Sequence, residues 1–352
     1  MEQQNKIFFK LDDLVKTDKR TLTHVYLDLN YTIMTDKQLS DFQFQLEQCT
    51  EIQSLTIKIE CNNLQDQQLQ KLIENLPNFK NLNTLKLLLR ENLITDEGAK
   101  SIGFALKQCQ QLTDILLLLD TNQIRYEGVQ SIATALRNST FITSFQLSIS
   151  ENEIDDEGAE AISLAFKNCS SLTNLTLNLF CNQIGEKGAL FIGKELKNCS
   201  LLTSLCLSMF QNKIGEEGAY AIGQCLSNLK NLNKLMLYLD TNNIRDKGIS
   251  EIALGLSSCT QIQNLNLSIY DNNITDEGYL KVDQCLQSLP KLLKLECFLS
   301  DSEKLLKSRD LINCRNIKVL TLYLYYCQYQ KDKKEHRLKA LKIKRLVQLN
   351  SF

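Results

Sequence analysis

The sequence predicts an α/β repeat solenoid of about 11 stacked units, with parallel strands on one face and helices on the other. Three observations predict it: a strict period, an alternating apolar triplet, and a helical pattern after every triplet. The period is read from the first apolar residue of an L-x-L-x-L triplet. It falls at Val25, Leu55, Leu85, Ile115, Phe145, Leu175, Leu205, Leu235, Leu265 and Leu295, 30 residues apart each time, and a shortened unit starts at Leu320. The triplet alternates with period two, as a strand with one buried face does. Behind it the spacing changes to that of a helix. In "TDEGAKSIGFALKQC" (Thr95 to Cys109), Ala99, Ile102, Ala105 and Leu106 share one face, Thr95 or Asp96 can serve as N-cap, and acidic residues fill the first turn. Each unit is therefore strand, turn, helix and return. One unit alone cannot bury its apolar face, and stacking builds a continuous core in which each buried leucine contributes roughly 1.5–3 kcal/mol before entropy.

Between strand and helix stands an asparagine, seven residues after each triplet start: Asn62, Asn92, Asn122, Asn152, Asn182, Asn212, Asn242 and Asn272. Leucine or isoleucine follows two positions later, from Leu64 and Ile94 through to Ile274. The terminal units carry Thr32 and Ser302 in place of the asparagine. An unmet backbone group in such a turn costs about 1–3 kcal/mol, and an amide side chain meets it.

The pattern L-x-x-L-x-L-x-L-x-x-N-x-I followed by a helix resembles the leucine-rich repeat family, in its ribonuclease-inhibitor-like class, over about residues 22–327. These units carry one additional x-L step before the asparagine. The resemblance implies a horseshoe with its parallel strands on the concave face and its helices on the convex face. It also implies that the asparagines form an internal ladder and that the function is protein–protein recognition. Long regular units in a chain rich in Asn, Gln and Lys also resemble leucine-rich repeat proteins of ciliates. The expected organisation is an N-terminal cap over 1–24 that uses Phe8, Phe9, Leu11, Leu14 and Val15, a repeat domain over 25–327, and a basic C-terminal capping helix over 328–352.

Composition narrows the functional classes. The chain has 352 residues, a formal charge of −1 and only two prolines, so no long linker and no overall polyanion-binding surface is expected. No apolar run reaches the roughly 20 residues of a transmembrane helix, and the start lacks the form of a signal peptide. The 13 cysteines contain no C-x-x-C pair and only two histidines accompany them, which argues against a disulfide framework and a zinc module. The expected setting is cytoplasmic, with a ciliary or cytoskeletal location as a further possibility from the resemblance.

Several conspicuous residues have architectural readings. Cys49, Cys109, Cys169, Cys199, Cys259 and Cys314 recur with the repeat at the helix end and read as small buried thiols. "GEKGA" and "GEEGA", from Gly185 and Gly215, suggest a phosphate loop, but the second glycine is a repeat position and no G-x-x-x-x-G-K-[ST] follows. His24 and His336 have no nucleophile placed beside them. The sequence therefore predicts no catalytic, metal or cofactor site.

Function is expected where the letters change. The outward-facing rows carry an alternating charge ladder, Glu60, Arg90 and Asp120, in the N-terminal half. The C-terminal half carries Phe180, Phe210, Tyr238, Tyr270, Phe298, Tyr323 and Tyr325, bordered by Glu151, Asp271 and Asp301. Exposed aromatics need a cover: a protein partner, a ligand or the chain's own tail. Residues 331–345 hold eight Lys or Arg against two acids, about +6. Two readings fit this tail, a helix capping the last repeat or a patch for nucleic acid or an anionic membrane. The expected function is a non-catalytic scaffold or adaptor that binds a protein on the concave face. The alternatives are an enzyme regulator (an inhibitor or GTPase activator) and a structural subunit of an assembly such as the ciliary axoneme.

Overall fold

The computed structural model describes residues 4–8, 14, 18–30, 35–137, 140–300, 316–325 and 346–351. Its contacts divide the chain into two units, Met1–Leu172 with Thr176–Asn178, and Thr173–Leu175 with Leu179–Phe352.

In the first unit the strands are β1 (Gln4–Phe8), β2 (Leu22–Asp28), β3 (Ser54–Lys58), β4 (Thr84–Leu88), β5 (Asp114–Leu118) and β6 (Ser144–Ser148), each parallel to the next. The helices α1 (Asp36–Glu47), α2 (Asp66–Ile73), α3 (Asp96–Gln108), α4 (Tyr126–Leu136) and α5 (Asp156–Ser163) alternate with them. The triplet starts fall in register, with Leu55 opposite Leu85, Leu85 opposite Ile115 and Ile115 opposite Phe145. All four are buried.

The second unit repeats the plan, after β7 (Asn174–Asn178), which the two units share. It contains β8 (Ser204–Ser208), β9 (Lys234–Tyr238), β10 (Asn264–Ser268), β11 (Lys294–Ser300), β12 (Val319–Tyr325) and β13 (Leu346–Ser351), again all parallel in sequence order. Its helices are α6 (Glu186–Leu196), α7 (Gly215–Leu226), α8 (Arg245–Ser257) and α9 (Asp276–Gln287).

The additional x-L step has a definite use. Ile59, Leu89 and Leu119 are fully buried, and their N–H groups donate to Lys58's successors in the next units: Leu88, Leu118 and Ser148 carbonyls at 2.8, 2.8 and 2.7 Å. The longer repeat thus adds one inter-strand rung and one core residue per unit.

The asparagine ladder follows. Asn92 accepts from Leu64 N through Oδ1 at 2.9 Å, and its Nδ2 donates to Ile59 O at 2.7 Å and Leu89 O at 3.0 Å. Asn242 does the same in the second unit, accepting from Ile214 N at 3.3 Å and donating to Met209 O, Leu239 O and Asp240 O. The residue just before each asparagine turns the amide inward by taking a left-handed backbone. Cys61, Glu91, Thr121, Glu151, Cys181, Gln211, Thr241 and Asp271 all have φ between +52° and +57°. That conformation costs about 1–2 kcal/mol for a residue with a Cβ, so the inward amide and its buried bonds must offset it. No glycine marks this turn in the sequence.

The two ends differ from the expected caps. At the N-terminus Phe8 is buried on β1 and Leu14 is buried, while Phe9, Leu11 and Val15 lie outside the described residues. At the C-terminus the expected helix over 328–352 needs correction at its end: Leu346–Ser351 is a strand, with Val347 opposite Leu320 and Leu349 opposite Leu322. The physical reason is the period. Val347 and Leu349 alternate with Gln348 and Asn350, which suits a strand edge, whereas a helical stripe would have been interrupted by Lys342 and Arg345. Residues 326–345, with most of the basic tail, lie outside the described residues.

Candidate functional site

The sheet face opposite the helices is where side chains are set by position rather than by the core. In the first unit this face carries a charge network. Arg90 Nε donates to Asp120 Oδ2 at 2.7 Å, and Arg90 Nη1 lies 3.6 Å from Glu60. Lys58 lies between Asp28 at 3.5 Å and Glu60 at 3.7 Å. Asp120 is nearly buried, and its Oδ1 accepts from the hydroxyls of Ser148 and Ser150 and from Ser150 N at 3.0 Å. Burial alone would raise its pKa. The two serines, Arg90 and the backbone N–H outweigh that and hold it below the ordinary carboxylate value. The expected ladder of Glu60, Arg90 and Asp120 is present as a ladder of contacts.

The second unit places aromatic rings at the equivalent positions. Phe180 and Phe210 stack with centroids 4.8 Å apart, and Phe210 meets Tyr270 at 6.0 Å with the planes tilted by 56°. Phe210 and Tyr270 belong to alternate repeats. Their rings therefore close across the intervening position, which is Asp240. Only 3% of Asp240 is exposed. Its Oδ1 accepts from Ser268 Oγ at 2.6 Å and from Tyr270 N at 2.8 Å. Burial pushes its pKa up to about 6, assisted by the negative charge of Asp271 and opposed by the Ser268 and Tyr270 bonds. Burial likewise pushes the Tyr238 hydroxyl up to about 12, with Cys206, Glu296 and Asp240 adding to it.

Of the predicted aromatic residues, Phe180, Phe210 and Tyr270 come together as one run of rings. Tyr238 and Phe298 stand on β9 and β11 in the neighbouring row and are half-buried. Tyr323 and Tyr325 lie on β12, where Tyr323 pairs with Phe298 and Tyr325 with Ser300 in register. Glu151 and Asp271 are exposed at the rim, and Asp301 lies outside the described residues.

The recurring thiols sit in the core. Cys169 donates to Ala165 O at 2.7 Å and Cys259 to Leu226 O at 3.2 Å, and burial pushes both up to about 11. They are protonated at neutral pH and serve as helix-end hydrogen-bond donors. Cys314 lies outside the described residues.

Geometry and sequence model agree at this point: a parallel strand, an inward asparagine and a helix recur through both units, and the family model for the leucine-rich repeat matches residues 143–163 and 171–193. The chain carries leucine-rich repeats. Folds of this kind are typically interaction scaffolds with protein partners. No curated protein matches the chain. Among solved structures, the Rad7 and Elc1 complex in yeast is similar at 14% identity and a TM-score of 0.49, over 91% of this chain and 76% of that one. So distant a likeness implies nothing about what this repeat protein binds. Among the described residues, no helix is long and apolar enough to cross a membrane.

Two features of this leucine-rich repeat protein were not anticipated. The first is a clamp between repeats. Asp66 accepts from Thr95 N at 2.9 Å and from Thr95 Oγ1 at 2.6 Å, and Asp246 accepts from Thr275 N at 2.7 Å and Thr275 Oγ1 at 2.6 Å. Asp96 accepts from Arg125 N and Gly128 N. Where the acid is Glu186 or Glu216, the following turn changes: Gly215 and Arg245 take φ of +56° and +57°, and their N–H groups donate to Asn242 O and Asn272 O. The acid-to-acid change, Asp to Glu, was the available signal. The second feature is the burial of Asp240 beneath its neighbours' rings, for which an aspartate between two aromatics in one row was the signal.

Proposed function

We propose that this leucine-rich repeat protein is a non-catalytic scaffold or adaptor that holds a protein partner against its sheet face, the concave face in the family's horseshoe. The anchors are Phe180, Phe210 and Tyr270, with Tyr238, Phe298, Tyr323 and Tyr325 extending the surface. The observation that carries this reading is the run of rings from Phe180 through Phe210 to Tyr270, half-buried on a face that no helix of its own unit occupies. Aromatic anchors of this kind often carry a large share of interface energy, about 2 kcal/mol or more at a hot spot. The setting that fits this role is the cytoplasm, or a ciliary or cytoskeletal assembly.

The regulator of an enzyme is the same surface with an enzyme as its partner. A GTPase activator that supplies a catalytic arginine fits less well, since Arg90 is held by Asp120 and Glu60 within its own sheet. The basic tail can serve nucleic acid or an anionic membrane as a secondary partner. The test uses wild type, Phe210→Ala, Tyr270→Ala and the helix-face control Lys194→Ala as bait in native lysate with quantitative mass spectrometry. A protein retained by wild type and Lys194→Ala, and lost from both aromatic variants, supports the reading. Partners retained by every variant, or lost only from helix-face variants, overturn it. A GTPase-stimulation assay on the recovered partner separates adaptor from activator.

A further inference from the structure

The two halves of the protein contain one motif built twice, and one copy lacks a part. Asp120 and Asp240 occupy the same position in their repeats, each followed by Thr-Asn. Each accepts through Oδ1 from a serine hydroxyl four residues before the next repeat's asparagine, Ser148 or Ser268. Each accepts through the same oxygen from a backbone N–H of the next repeat, Ser150 or Tyr270. On Oδ2, Asp120 has the guanidinium of Arg90 from the preceding repeat at 2.7 Å. The residue preceding Asp240 by one repeat is Phe210, and among the described residues no cation forms an ion pair with Asp240. Its surroundings add negative charge through Asp271.

Resting on the reading that this sheet face binds a protein partner, we propose that Asp240, Phe210 and Tyr270 form an anchor site for an arginine of that partner, whose guanidinium takes up on Asp240 the place Arg90 holds on Asp120. Arginine suits the site better than lysine for two reasons. The planar guanidinium can stack on an aromatic face while donating in its own plane, and it keeps its charge when desolvated. The rings of Phe210 and Tyr270 supply the faces, and Asp240 supplies the acceptor. In the unbound protein the same rings close at 6.0 Å and roof the carboxyl, so entry requires one of them to swing aside. The roof accounts for the 3% exposure of an acid that has no counterion among the described residues, a state that arginine binding relieves.

The experiment uses the full-length isotopically labelled protein and short capped glycine peptides carrying one central arginine or one central citrulline, which has the same shape without the charge. The arginine peptide is expected to shift the Asp240 carboxyl and Tyr270 amide signals, with binding about tenfold or more tighter than for citrulline. Asp240→Asn is expected to abolish the preference for arginine. Phe210→Arg supplies the missing part in cis, so it is expected to abolish peptide binding and to draw the Asp240 carboxyl down towards the behaviour of Asp120. Equal response to both peptides, or no response at Asp240, overturns the proposal. If Phe210→Arg misfolds, the isosteric Asp240→Asn variant still decides the matter. A natural partner weakened by Phe210→Ala but indifferent to Asp240→Asn would sink the arginine anchor while leaving the interaction surface standing. Indifference to both would sink the surface itself.

Discussion

Asp120 and Asp240 are the same residue in the same turn, and they are held in opposite electrostatic states. Arg90 and two serine hydroxyls hold Asp120 below its ordinary pKa, whereas Asp240, buried in the row between Phe210 and Tyr270, is raised by that burial to about 6. The scaffold beneath them is identical: a buried leucine ladder, an inward asparagine and a left-handed residue before it. The difference teaches that in this fold the chemistry of the sheet face is decided by the lateral neighbour one repeat away, here Arg90 in one case and Phe210 in the other.

The comparison breaks most severely if the shared scaffold is not in fact shared. Asn92→Ala and Asn242→Ala should each leave buried backbone groups unmet and cost roughly 4 kcal/mol, from two groups at about 2 kcal/mol apiece. Urea unfolding of each variant checks this, and a large cost at one site with none at the other would show that the two ladders differ.

Next in size is the pH dependence, where the two aspartates should act with opposite sign. The folded pKa of Asp240 lies above its unfolded value of 3.8. The folded state therefore binds more protons between about pH 4 and 6, and stability from this group is greatest below that window and is lost as pH rises through about 6. Asp240→Asn should remove this slope and be stabilising at pH 7 by about 3 kcal/mol. Asp120, with its pKa lowered, contributes stability above pH 3.8 that is lost as pH falls through its folded value, so Asp120→Asn should destabilise at neutral pH. Unfolding measured at pH 4 and pH 7 for both variants tests the pair, and slopes of the same sign would dismiss the contrast.

A smaller effect sharpens the cause. Arg90→Ala should cost about 2 kcal/mol at neutral pH, since Asp120 keeps its serines but loses its counterion, and the Arg90 side chain is already 43% exposed. The loss should shrink on acidification, as the uncompensated carboxyl becomes free to protonate. Smaller again is the binding contrast. Phe210→Ala and Tyr270→Ala should each weaken a bound partner by about tenfold, or 1.4 kcal/mol, by calorimetry, and Lys194→Ala on α6 should leave affinity unchanged.

Much of this fold was legible in the sequence. The triplet starts from Val25 to Leu295 appear in register, and Asn62 to Asn272 reach the backbone groups that the family pattern implies, because a period of identical letters is also a period of identical surroundings. The left-handed turn was not legible, since Glu91, Thr121 and Gln211 carry no preference for it and only the neighbouring asparagine's bonds impose it. The strand at Leu346–Ser351 was hidden by the basic residues before it, which suggested one helix where the apolar spacing of Val347 and Leu349 was that of a strand. At the candidate site the aromatic run was visible as a list of letters. That Phe210 would touch Tyr270 across two repeats was not, because it depends on the shortness of Asp240 between them. The clamp was half visible: acids in a first turn suggest helix electrostatics, but Asp66 and Asp246 spend theirs on the next repeat's threonine.

That clamp bears on how such a molecule would yield to force. A stack held by nearest-neighbour bonds behaves as links in series, and its rupture begins at whichever link is weakest. Where Asp66 and Asp246 each hold a threonine by two bonds, Glu216 reaches Arg245 only by a 4.0 Å ion pair, and the turns at Gly215 and Arg245 rest on single bonds to Asn242 and Asn272 in a left-handed backbone. A pull along the stack would therefore be expected to peel the second unit open between α6 and α8 before it parts the threonine-clamped turns, exposing the aromatic face next to the break. The substitution of one acid for its longer homologue, too slight to disturb the repeat, thus sets a mechanical fuse beside the surface that varies most.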